Sequence, residues 1–195
     1  MLKNKYFKWG VGLIFLAAAI YSLTMNQKSF EERTAEDRAE YLETLKSMDP
    51  SPVGGISGFT DFNYYPADEK FVVTADFEEV ITDQHFTVFM TDGSTEELEV
   101  AGEASFKING QELKVTLYDE GETLLLPFTD LTNDKETYGG GRYVNVVKTN
   151  NNKLQIDFND AHNFYCAYNE SFICPVPPAH NDLKIAITAG EKNFK

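Results

Sequence analysis

The sequence is poor in positive charge: 17 lysines and arginines stand against 31 aspartates and glutamates, a formal charge of −14. A surface of that sign repels nucleic acid and anionic lipid headgroups, and its plainest use is solubility. Cysteine and histidine are scarce too, with two cysteines, at 166 and 174, and three histidines. That excludes a disulfide-knit miniprotein and leaves few ways to build a metal centre. No cysteine precedes Cys166, so the sequence offers no lipoprotein attachment point near the N-terminus. Long apolar runs are missing with one exception, and there is no internal repeat and no low-complexity tract.

The exception is residues 9–25, which carry no charge and follow Lys3, Lys5 and Lys8. A positive flank and about 17 apolar or small residues reach the lower limit of a membrane-spanning helix. An uncleaved anchor is favoured over a cleaved signal, because Ile20, Tyr21 and Leu23 prolong the apolar run beyond Ala17, Ala18 and Ala19. The positive-inside rule then puts the domain in the periplasm or at the cell exterior. Without its three leader lysines the remainder carries −17. The expected organisation is a membrane anchor or signal segment at 1–25, a helical stalk and linker at 26–52, and one β-rich domain at 53–195.

Ser29 and Glu32 have the spacing of a capping box, and Glu31, Glu32, Glu36 and Asp37 favour a helix start. This predicts an amphipathic helix from about 30 to 47, with Tyr41, Leu42, Leu45 and Met48 docking its second half and a solvated first half. Asp49-Pro50-Ser51-Pro52 stops it. Beyond residue 70 the period is two, which predicts strands at 71–77, 86–91, 97–100, 104–108, 111–118, 123–128, 142–147, 154–158 and 183–188. Asn109-Gly110 is a strong hairpin signal and Asp92-Gly93 a weaker one. The fold class is mainly β, an antiparallel sandwich or partly open barrel.

Two segments depart from strand-and-turn sequence. One is Thr137-Tyr138-Gly139-Gly140-Gly141-Arg142-Tyr143; the other runs from Asp157-Phe158-Asn159 through Asn163, Cys166 and Tyr168 to Cys174-Pro175-Val176-Pro177-Pro178, Asn181 and Gly190-Glu191-Lys192. Together with Pro127-Phe128-Thr129-Asp130-Leu131-Thr132, these residues resemble the hallmark of the bacterial proteins grouped as domain of unknown function 1684, over about residues 59–192. The resemblance implies a domain identity and no established activity.

Read physically, the three glycines are no phosphate loop, because neither a Lys-Ser/Thr pair nor a helix follows them; a tight strand entry is the favoured reading. Arg142 either clamps a substrate carboxylate or pairs with Asp130 or Asp157, and the expectation is one polar cluster holding Arg142 and Asp157. Asp157 and Asn159 share a strand face and serve either as base and orienting amide or as organisers of the next loop. Cys166 and Cys174, with seven residues between them and expected outside the cytoplasm, read first as a disulfide worth about 2–3 kcal/mol. A zinc set with His162 and His180 is the minority alternative, since the cysteine spacing is not that of a zinc knuckle. The resemblance does not lead one to expect those histidines. Glu191 and Lys192 complete a candidate binding set of Arg142, Asp157, Asn159, Asn163, Asn181, Glu191 and Lys192, with no cofactor, no metal and no nucleic acid.

Two functional classes follow. The first is a membrane-anchored extracytoplasmic module that binds a small ligand or protein partner, its hallmark segment plugging one end of the sheet. The second is a hydrolase with Asp157 as base and Arg142 and Asn159 holding a polar substrate. Geometry discriminates: an enzyme needs these groups converging on an open pocket, and a plug needs them buried and bonded to backbone.

Overall fold

The computed structural model describes residues 28–80, 84–149 and 151–194. The expected membrane segment at 1–25 lies outside the described residues, among which no helix is long and apolar enough to cross a membrane. The first element is α1 (Phe30–Ser47), with the anticipated bounds. Its capping box forms: Ser29 Oγ accepts from Glu32 N at 3.2 Å, and the Glu32 carboxylate accepts from Ser29 N at 2.8 Å. Glu31 and Glu32 in the first turn and Lys46 in the last also suit the helix dipole.

The first half of α1 is not a free stalk. Thr34 is buried, and Arg38 donates to Asn159 O at 3.0 Å and to Tyr65 O at 3.2 Å. Apolar periodicity is blind to docking of this kind, because the partners are backbone carbonyls. In the second half Leu42 and Leu45 join Val53, Phe62 and Tyr168 in a small apolar cluster.

Seven strands follow: β1 (Val72–Glu79), β2 (His85–Phe89), β3 (Thr95–Ile108), β4 (Gln111–Glu120), β5 (Thr123–Phe128), β6 (Arg142–Val147) and β7 (Lys153–Asp157). All ladders are antiparallel, in the order β6-β5-β4-β3-β1-β7, with β2 pairing only the first half of β3. The edge strands β6 and β7 come together, and just past β7 Tyr143 and His162 exchange both backbone hydrogen bonds, at 2.9 and 3.0 Å. The sheet is therefore a nearly closed barrel, which decides between the two expected architectures. Asn109 and Gly110 both take positive φ, as the β3–β4 hairpin requires.

Alternation along β3 and β4 points Ala104, Phe106, Ile108, Leu113, Val115 and Leu117 inward. Leu124, Leu126, Phe128, Val144, Val146, Leu154, Ile156 and Phe158 complete the core, and each large side chain buried there stabilises the fold by about 1.5–3 kcal/mol. The strands expected at 97–100 and 104–108 are one strand, bent by a bulge between Val100 and Gly102. The strand expected at 183–188 does not form. That segment runs beside residues 129–131 instead, with Leu183 N donating to Thr129 O at 2.7 Å and Leu131 N to Ile185 O at 3.0 Å. Further along, Ile187 and Ala189 are buried in the barrel core.

Candidate functional site

Arg142 opens β6 with the same parity as Val144 and Val146, so its side chain enters the end of the barrel. It is fully buried, 5.2 Å from the Phe128 ring. Nη2 donates to Asp130 Oδ2 at 2.6 Å and Ile187 O at 2.8 Å, while Nη1 donates to Ala189 O at 2.5 Å and Glu191 O at 3.2 Å. Asp130 Oδ1 in turn accepts from Thr132 N at 2.6 Å. The missing strand is now explained: alternate carbonyls of residues 187–191 are satisfied by one guanidinium rather than by a ladder. Two glycines permit the approach. Gly141 has φ +87 and a Cβ there would meet Phe128 O at 2.8 Å; Gly190 has φ +76 and a Cβ would meet Ala161 O at 2.6 Å.

Glu191, also fully buried, forms a second polar centre beside the first. Its carboxylate accepts from Asn163 N at 2.9 Å, Asn163 Nδ2 at 2.7 Å and the Tyr168 hydroxyl at 2.6 Å. Burial pushes its pKa up to about 7, against the pull of those donors. Lys192 does not pair with Glu191; its ammonium lies 5.1 Å from the Tyr65 ring. Asn181 sits apart from both, with Nδ2 donating to Thr116 O and Pro127 O and Oδ1 accepting from Thr116 N, each at 2.8 Å.

The expected Arg142–Asp157 cluster is absent. Asp157 Oδ1 instead caps the following turn, accepting from Asn159 N and Asn159 Nδ2, both at 2.8 Å. Asn159 then exchanges hydrogen bonds with the Asp68 backbone, at 2.8 and 3.0 Å. The disulfide needs correcting as well. Cys166 and Cys174 are neighbouring free thiols, and Cys166 N donates to Cys174 Sγ at 3.1 Å. Each cysteine is fixed by its own segment, Cys166 in the turn Tyr165–Ala167 and Cys174 against Thr91, and the two sulfurs are not bonded. No group of three or more potential metal ligands occurs among the described residues, His162 and His180 included. His162 packs at a tilt against Tyr41, ring centroids 4.5 Å apart, and His180 Nε2 meets the Tyr118 hydroxyl at 3.0 Å.

A cleft of about 200 Å³ opens where α1 crosses the barrel closure, lined by Asp37, Arg38, Tyr41, Tyr64, Asp160 and His162, with Asn145 at β6. Burial first, and the nearby Asp157 and Asp37 charges second, push the Asp160 pKa up to about 7. Its Oδ1 is buried without a hydrogen-bond partner among the described residues, and so is the Tyr41 hydroxyl. Burial holds His162 neutral, its pKa pushed down to about 4. Arg38 does not neutralise Asp160 directly, because its donors go to Asn159 O and Tyr65 O and its plane lies 4.2 Å from the Tyr64 ring. Sequence reasoning missed Arg38, Tyr41, Tyr64 and Asp160 as a group. The available signal was faint: an arginine and a tyrosine one helical turn apart on a helix otherwise crowded with acids.

Fold and site define a class: a nearly closed antiparallel β-barrel, locked at one end by a buried arginine and its carbonyl ligands, with an N-terminal helix laid over the seam. The chain belongs to the family described as protein of unknown function (DUF1684), whose model matches residues 57–192. Among solved structures it is similar to an uncharacterized protein from gene locus rrnAC0354 of Haloarcula marismortui, determined by solution NMR. Identity is 27%, the match covers 82% of this chain and 96% of that one, and the TM-score is 0.63. No curated protein matches the chain.

Proposed function

We propose that this protein is a membrane-anchored binding module facing out of the cytoplasm, and that its ligand occupies the cleft between α1 and the barrel seam. The observation that carries the reading is Asp160, a largely buried carboxyl with an unpartnered oxygen in a cleft walled by Tyr41, Tyr64 and His162. Buried polar atoms are normally paired, and one left open beside a cavity is a place for a ligand donor. The cleft is smaller than most small-molecule sites, which limits the ligand to a primary amine or polyol of a few carbons. Lysines at the head of an uncharged N-terminal run support the placement. The hydrolase reading loses support, because Arg142 is buried with its fork occupied and Asp157 Oδ1 is occupied by Asn159.

Titration of the protein with small amines and polyols, followed by NMR, should shift the Tyr41 and His162 resonances, and Asp160→Asn should abolish the shift. Failure of both ligand classes at millimolar concentration, or binding indifferent to Asp160→Asn, sinks the cleft assignment. Protease added to intact spheroplasts should remove the domain; full protection sinks the topology.

A further inference from the structure

The cleft between α1 and the barrel seam is unbalanced both in charge and in hydrogen-bonding capacity. Asp37 and Asp160 line it and Asp157 stands nearby, against one cation, Arg38. That cation is already engaged: Nε and Nη2 donate to Asn159 O at 3.3 and 3.0 Å, and Nη1 donates to Tyr65 O at 3.2 Å. Its plane lies 4.2 Å from the Tyr64 ring, so one wall already carries an organic cation on an aromatic face. What the cleft leaves open is acceptor capacity. Asp160 Oδ1 is buried without a partner among the described residues, and so is the Tyr41 hydroxyl. His162 Nδ1 lies 3.3 Å from Asp160 O, which can only accept, so Nδ1 carries the proton and the neutral ring keeps a lone pair on Nε2.

Resting on the reading that a ligand occupies this cleft, we propose that the ligand is a small primary ammonium ion, bound as a cation that donates to Asp160 Oδ1 and packs against the Tyr41 and Tyr64 rings. An ammonium has three donors and no acceptor, which suits a site where Asp160 and His162 accept and the arginine is engaged. A polyol brings no charge to match the carboxylate, and an anion would face two lining carboxylates. Burial keeps the free Asp160 carboxyl protonated up to about 7; entry of the cation releases that proton to water and leaves a charge-assisted ammonium–carboxylate pair, the stronger kind of hydrogen bond. The charges acting on Asp160 are Asp157 at the end of β7 and Asp37 and Arg38 on α1. Tyr41, Tyr64 and His162 stay neutral near pH 7, and Glu191 acts on the two tyrosines.

The full-length protein in mild detergent is titrated at constant ionic strength with n-propylammonium, 1,2-propanediol and propionate, probes of similar size, and followed by NMR. Propylammonium should shift the Tyr41 and His162 resonances, and the other two should not. Its affinity should be about tenfold weaker at pH 6 than at pH 8, because the ionised share of Asp160 falls by that factor around a midpoint near 7. Asp160→Asn should abolish the binding. Glycerophosphoethanolamine carries the same ammonium on a lipid headgroup: binding tighter than propylammonium traces the cation to lipid, weaker binding traces it to a free amine, and both support the ammonium assignment. Propanediol binding as tightly as propylammonium, and lost in Asp160→Asn, would overturn that assignment while leaving the cleft as the ligand site. Silence from every probe at millimolar concentration would overturn both. A propylammonium affinity indifferent to pH would also sink the cation. The wild-type probe ranking and pH profile decide the matter even if Asp160→Asn fails to fold.

Discussion

At the scale of single residues, a buried guanidinium is tolerable only when its charge is matched and most of its donors are occupied, and Arg142 meets that condition with one carboxylate and three carbonyls on its two terminal nitrogens, Nε alone lacking a hydrogen-bond partner among the described residues. Arg142→Ala should therefore destabilise the domain by about 3–5 kcal/mol in chemical denaturation, because Asp130 is left buried and unpaired. Asp130→Ala should cost a similar amount, and the double variant should fall short of the sum by about 1–3 kcal/mol. Asp157→Asn combined with Arg142→Ala should be additive; a strong coupling there would contradict the separation of the two groups. Both halves of the ion pair stand inside motifs visible in the sequence, and Asp130 was one of the two partners expected for Arg142, yet the choice between Asp130 and Asp157 was not legible. Asp130 lies just past one strand and Asp157 ends another, and the two look alike in one dimension. The carbonyl ligands leave no trace at all, since every residue has one.

At the scale of elements, α1 shows how far periodicity reads. Its bounds, cap and apolar second half follow from side-chain chemistry, and all three are in the sequence. The docking of its first half rests on Arg38 reaching Asn159 O and Tyr65 O, far along the chain, which no local pattern encodes. Arg38→Ala should cost about 1–2 kcal/mol and raise amide exchange in the first half of α1, read by hydrogen exchange mass spectrometry. Unchanged exchange there would mean the apolar second half holds the helix alone. The cleft was illegible for the same reason: its walls come from the helix, residue 64, β6 and the turn after β7, and only closure of the sheet assembles them. The last strand misled because Leu183, Ile185 and Ile187 alternate like a strand, while their backbone partners are Thr129, Leu131 and Arg142.

At the scale of the whole molecule, buried acids tie stability to pH. Asp160 and Glu191 both have pKa values raised to about 7, so their contribution is complete below the ordinary carboxylate range and is lost as pH rises through about 7. His162 works in the opposite sense: depressed to about 4, it contributes above its ordinary value and loses that as pH falls through about 4. Between pH 8 and pH 6 the folded-state carboxyls of Asp160 and Glu191 gain protons against the unfolded-state imidazoles of His162 and His180, both held low in the fold. A carboxyl raised to about 7 takes up more of a proton across this window than an imidazole of ordinary pKa, so melting should move upward on acidification. Glu191→Gln should flatten that slope; an identical slope in the variant, or none in the wild type, would show that these acids do not titrate as described.

The lock at the barrel's end also sets an order of events. Arg142 waits for carbonyls 45 to 49 positions further along the chain, and Asn163 for a carboxylate 28 positions away. A chain delivered from its N-terminus can pair its hairpins one after another as they emerge. The guanidinium nevertheless stays uncoordinated, and the barrel unsealed, until residues 187–191 have arrived. If the domain is exported as proposed, this lateness keeps the barrel threadable through a narrow channel until residues 187–191 have passed.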